Sequence, residues 1–107
     1  MLATTDSFIR LFAATIRNNG ADGVTVSAGS QVGFGSAIGK SVVTNNSGSG
    51  VDVDDLSFAL LQRGGQTING NNLGGGSFDV TCRPQFSATR GVANIGGGTT
   101  NCVEPPQ

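Results

Sequence analysis

At 107 residues and a formal net charge of −1, the chain has room for one domain with a modest core, and it lacks the clustered Lys and Arg that phosphate binding requires. Leu, Ile, Val and Phe supply 27 residues, enough for a real but thin core, while 18 glycines scattered between Val-rich runs point to many tight turns and a mostly β chain. The absence of His, Tyr and Trp removes the usual general base near neutral pH and the commonest transition-metal ligand; neither an enzyme nor a cofactor is expected.

Taken in chain order, residues 4–19 predict the one helix. Thr5 or Asp6 would cap its first turn. Phe8, Leu11, Phe12 and Ile16 follow at spacings of three and four and form its packing face, widened by Ile9 and Ala13. Arg17 sits where the helix dipole favours a cation, and Asn18-Asn19-Gly20 supplies the left-handed conformers that end helices. The opposite face (Thr4, Ser7, Arg10, Ala14, Arg17) would suit a partner that is not purely apolar.

Residues 23–104 predict a β-rich region. Val24-Thr25-Val26 alternates, as do Val32 and Phe34, and Ser41 to Thr44 is a short strand. Residues 45–50 hold no apolar side chain and predict an exposed loop. Asp52 to Asp55 form the entrance to a strand at Ser57 to Leu61. A turn at Gly64-Gly65 would let Gln66-Thr67-Ile68 pair back, and 69–76 is a second loop. Ser77 to Cys82 predicts a strand with Phe78, Val80 and Cys82 on one face, and Arg90 to Ile95 the last strand. No internal repeat is read along the chain. The expected fold class is therefore α+β: one domain over 1–107, with an N-terminal helix packed on antiparallel sheet.

Four motifs bear on chemistry. Cys82 and Cys102, the only cysteines, predict one disulfide in an exported domain, stabilising by about 3 kcal/mol for a loop of that size. Gly39-Lys40-Ser41 brings a phosphate-binding loop to mind, but Phe34 occupies the position where its first Gly belongs. Asp52, Asp54 and Asp55 would gather a calcium ion only with backbone oxygens from Asn69 to Asn72, and no EF-hand spacing is present; no metal is expected. The same three carboxylates are the candidates for acid/base work in an enzyme reading.

The order of features resembles the soluble headpiece of minor type IV pilins and H-type pseudopilins, the GspH/FimT-like group. Phe8 to Val26 looks like a spine helix leading into a first strand. Ser57-Phe58 through Asn69-Gly70 is similar to that group's phenylalanine strand and glycine step. Gly75 to Cys82, with Ala88 to Val92, is similar to its late cysteine strand and the strand after it. The resemblance implies a structural subunit at the periplasmic face of the inner membrane or in an extracellular filament. It would contact other pilin or pseudopilin subunits through loops 45–50 and 69–76. Residues 96–101 carry no Arg, so DNA is an unlikely partner. Membrane contact is expected only through an upstream hydrophobic helix, which this sequence does not contain. The alternative is an exported β-rich binding module, of the adhesin or phage structural type, with no filament role.

Overall fold

The computed structural model describes residues 1–34, 40–61, 66–83, 88–91 and 95–103. It contains eleven short strands and no helix among these residues: β1 (Leu2–Ala3), β2 (Phe8–Leu11), β3 (Thr15–Arg17), β4 (Val24–Val26), β5 (Gln31–Phe34), β6 (Val42–Thr44), β7 (Val51–Val53), β8 (Phe58–Leu61), β9 (Thr67–Ile68), β10 (Val80–Cys82) and β11 (Ala88–Arg90). Every third strand returns to the same sheet. Sheet A runs β1-β4-β7-β10, sheet B runs β11-β8-β5-β2, and sheet C runs β3-β6-β9, with all neighbours parallel. The chain thus winds as a three-sided parallel β-helix, a solenoid in which each coil packs mainly on the coils before and after it. At ~4.8 Å per coil, the four coils and the start of a fifth stack over ~20 Å.

The expected α+β fold is overturned, and the reason lies in residues 4–19. A helix needs uninterrupted right-handed backbone, yet Thr5, Asp6, Ala13 and Asn18 all have φ between 49° and 61°. Between those bends the chain is extended, and the side chains alternate. Leu11 is buried, with Ile9, Ala14 and Ile16 partly buried against the core, whereas Phe8 and Phe12 are 60% and 57% exposed. Two period-two strands joined by a bend at Phe12-Ala13 therefore imitate the spacing of an amphipathic helix. The packing face assigned to Phe8, Leu11, Phe12 and Ile16 is not one face: only Leu11 and Ile16 point inward.

Parallel coiling also replaces the expected antiparallel pairing. β9 lies beside β6, and β8 beside β5, so β9 does not pair back on the strand that precedes it. The expected strands at 24–26, 42–44 and 58–61 are present, whereas Phe78 lies outside β10. The turn at 64–65, most of the phosphate-loop-like segment (35–39), residues 92–94 of the expected last strand and the tail at 104–107 lie outside the described residues.

Inward positions stack coil upon coil. Val24, Val51 and Val80 form one column, Ile16, Val43 and Ile68 a second, and Leu11, Phe34 and Leu61 a third. Full burial of each such side chain is worth about 1.5–3 kcal/mol. β-branched residues fit this role, since each rung offers only one or two inward positions on a pleated surface. A small core thus suffices, because every coil reuses the same columns.

The corners repeat as well. Between sheets A and B, two consecutive left-handed residues turn the chain in each of the first three coils: Thr5-Asp6, Ala28-Gly29 and Asp55-Leu56. Between sheets C and A the left-handed position is filled by Asn18, Asn45 and Gly70. At Gly50 a Cβ would lie 2.6 Å from Asn71 Nδ2 and 2.8 Å from Asp79 O, so backbone packing at this corner admits no side chain.

Candidate functional site

Each corner is held by a polar ladder with a common sense. A backbone N–H of one coil donates to a side-chain oxygen of the next. Ser7 N donates to Ser30 Oγ (3.1 Å), and Ser30 N to Ser57 Oγ (3.2 Å). Ala14 N donates to Ser41 Oγ (3.1 Å), and Ser41 N to Gln66 Oε1 (2.7 Å). Asn19 N donates to Asn46 Oδ1 (3.1 Å), and Asn46 N to Asn71 Oδ1 (3.2 Å). In the last ladder the side-chain amides are also linked, Asn19 Nδ2 to Asn46 Oδ1 and Asn46 Nδ2 to Asn71 Oδ1, both at 2.8 Å.

Asp79 continues this ladder into the next coil. It accepts from Asn71 N (2.8 Å) and Asn71 Nδ2 (3.0 Å) on one oxygen, and from Thr99 N (2.9 Å) and Thr99 Oγ1 (3.2 Å) on the other. Burial opposes its charge, but these donors outweigh burial and hold the carboxyl below its usual range. Immediately above, Val80 bridges Thr100, and the Cys82–Cys102 disulfide ties the start of the fifth coil to β10. Loops 45–50 and 69–76, expected as separate contact loops, lie on one another here. Asn45 N donates to Gly70 O and Asn72 N to Gly48 O. Asn46, Ser49 and Asn71 are buried, so much of both loops is scaffold.

Because corners and core are committed to the fold, the outward positions of the sheets remain for contact with other molecules. On sheet A the outward row is Leu2, Thr25, Asp52 and Thr81 in register, of which Leu2 is exposed, Thr25 half-buried, and Asp52 and Thr81 buried. Arg83 Nε lies 2.9 and 3.1 Å from the two oxygens of Asp52. Desolvation nevertheless raises the Asp52 carboxyl above its usual range, with Asp22 and Asp54 adding repulsion. Asp54 is also raised, by burial and then by Asp55. Both move in the same direction, whereas an acid/base pair needs its two groups driven apart. Nor do Asp52, Asp54 and Asp55 form a metal cradle: among the described residues no cluster of three or more candidate ligands is present. Asn69 to Asn72 serve the ladder at Asp79 and the C-to-A corner.

Sheet B presents a different face. Phe8, Gln31 and Phe58 form one outward row, and Arg10, Gly33, Leu60 and Arg90 the next. No acidic residue occupies a described outward position on these strands. The Arg10 guanidinium lies 5.4 Å from the Phe12 ring centroid, which holds the charge at the margin of the face. Gly33 leaves room for the Phe8 ring to lean over the middle of the sheet, its tip 3.6 Å from where a Cβ would stand, and is itself buried. Phe8 and Phe58 are two strands apart, so their backbone positions stand ~10 Å from one another along the helix axis.

Sequence reasoning recovered the disulfide and several strands but not these faces. The available signal was a degenerate repeat: Ile16 to Val26 and Val43 to Val53 share Asn-Asn, Gly, Val and Val at an offset of 27 residues. Comparison with protein-family models, curated proteins and solved structures gives no match.

Proposed function

We propose that this chain is a non-enzymatic binding module of an exported protein: a rigid parallel β-helix that engages another macromolecule through the outer face of sheet B. The carrying observation is the in-register pair of rows on that face, with aromatic rings on β2 and β8 and guanidinium groups on β2 and β11. Solvent-exposed Phe8 and Phe12 have no role in the core, and grouped apolar exposure of this kind marks interaction surfaces. A disulfide between successive coils suits a compartment outside the reducing cytosol. The pilus-subunit reading drew on a spine helix at Phe8 to Val26 and on the segments Ser57 to Gly70, Gly75 to Cys82 and Ala88 to Val92. With β2 and β3 in place of that helix it loses its first support, and we prefer the module without a filament role.

The test is retention of purified protein on intact bacterial cells and on their shed surface polymers. Wild type is expected to be retained, Gln31→Glu on face B to be released, and Thr25→Lys on face A to behave as wild type. Release by the face A change alone, or no retention of wild type on any surface, would overturn the proposal.

A further inference from the structure

We infer, resting on face B as the binding surface, that its ligand is an extended anionic polysaccharide, a uronic-acid polymer lying across the strands along the axis of the helix. Three features of the face select this chemistry. Phe8 and Phe58, whose backbone positions lie ~10 Å apart, offer two apolar platforms on the scale of a disaccharide unit, so sugar rings can lay a C–H face on each aromatic ring. Between them stands Gln31, exposed and able to both donate to and accept from sugar hydroxyls.

Arg10 and Arg90 lie in the neighbouring row, three strands or ~14 Å apart. That row faces the side of the polymer from which carboxylates project, and guanidinium groups pair with carboxylates in a two-pronged geometry. Gly33 adds no side chain of its own to this row, so the Phe8 ring tip and Leu60 form a low apolar floor between the two arginines on which a chain can lie.

A protein partner fits less well. Its apolar groups, Phe8, Phe58 and Leu60, are few and are flanked by Gln31 and two guanidinium groups, so the face lacks the broad dry centre typical of protein interfaces. Single-stranded nucleic acid would use the same rings and guanidiniums. It carries one phosphate per nucleotide, however, and two arginines over ~14 Å on a chain of net charge −1 leave most of those phosphates unneutralised.

The experiment is affinity electrophoresis of the whole chain through gels containing polygalacturonate, hydroxyethylcellulose or poly(dT), with cell retention measured in parallel. Retardation by polygalacturonate alone is expected, weakening as salt is raised. It should be lost in Arg10→Gln and in Phe8→Ala, both at exposed positions where folding is preserved, and in Gln31→Glu, which sets a negative charge under the polymer. Equal retardation by the neutral polymer would overturn the inference by removing the role of the arginines. Stronger retardation by poly(dT) would reassign the face to nucleic acid. If no polymer retards the protein while Gln31→Glu still abolishes cell retention, the polysaccharide is refuted and face B stands. If cell retention is also insensitive to Gln31→Glu, the binding-face reading itself fails.

Discussion

Replacing Asn46 by Ala tests whether the amide ladder, more than the thin apolar core, fixes the stacking of coils. The Asn46 side chain is fully buried and makes three strong contacts: it accepts from Asn19 N (3.1 Å) and Asn19 Nδ2 (2.8 Å) and donates to Asn71 Oδ1 (2.8 Å). Each hydrogen bond contributes about 1 kcal/mol net, and a buried group left without a partner costs about 1–3 kcal/mol. Two features limit the loss: Asn19 is exposed, so water can replace its acceptor, and Asn71 Oδ1 keeps the Asn46 backbone N–H at 3.2 Å. The expected destabilisation is therefore about 2–4 kcal/mol, a large share of the about 5–15 kcal/mol available to a domain. Urea unfolding followed by far-UV circular dichroism reads it as a lower midpoint at unchanged slope. Asn46→Asp should be worse at neutral pH, because a carboxylate still accepts from Asn19 but cannot donate to Asn71 Oδ1. It should recover in part as acid restores a donor. An Asn46→Ala midpoint that places the variant within about 0.5 kcal/mol of wild type, the range of an ordinary surface change, would refute the ladder argument.

Changing Cys82 and Cys102 together to Ser should lower stability by about 3 kcal/mol in the chain-entropy treatment of a loop this long. Hydrogen exchange should show the loss confined to Val80–Cys82 and residues 99–102, since the bridge spans only those rungs. Asp79 and Asp52 should give acid responses of opposite sign. The Asp79 carboxyl lies below its unfolded value of 3.8, so its contribution is complete above that value and is lost as pH falls through the lower folded one. The Asp52 carboxyl lies above 3.8, so it burdens the fold above its folded value and that burden lifts as pH falls to the unfolded one. Melting curves from pH 7 to pH 2 should accordingly show Asp79→Asn destabilised at pH 7 but less acid-sensitive than wild type. An unaltered acid slope in that variant would remove Asp79 from the ladder.

The strands were legible wherever alternation was clean. Val24-Thr25-Val26 and Phe58 to Leu61 announce one inward and one outward side, and the disulfide followed from cysteine number alone. The coiling was not legible, because its period is irregular. Equivalent positions on sheet A fall 23, 27 and 29 residues apart along Leu2, Thr25, Asp52 and Thr81. The third corner carries an excursion between Asn71 and Asp79 that splits the motif seen intact at Asn19 to Val24 and Asn46 to Val51. Local rules were also misleading in a specific way. Asn-Asn-Gly after Ile16 reads as a helix terminus because it favours left-handed backbone, and the protein does use left-handed backbone at Asn18, but to turn from one sheet to the next. Asp79 was read only as a member of the strand expected at Ser77 to Cys82, although it is the residue through which the amide ladder passes to the last rungs.

Face B also shows why net charge misdirects when a chain coils. A formal charge of −1 argues against an electrostatic partner only if the charges share one field. Coiling sorts them instead: Asp22, Asp52 and Asp54 surround sheet A with Arg83 among them, while Arg10 and Arg90 project from sheet B. The two larger dimensions of the molecule are 31 and 27 Å, and at physiological salt a charge is screened over ~8 Å. Sheets A and B are consecutive sides of the coil, one carrying the carboxylates and the other the guanidiniums, and screening weakens the coupling between charges at their far edges. Each coil adds one rung to every sheet, so an outward position can change chemistry without disturbing the ladder at the corner. That separation lets a thin core, built mostly from Val, Ile, Leu and Phe columns, hold one stacking order while the outward rows of each sheet differ in chemistry.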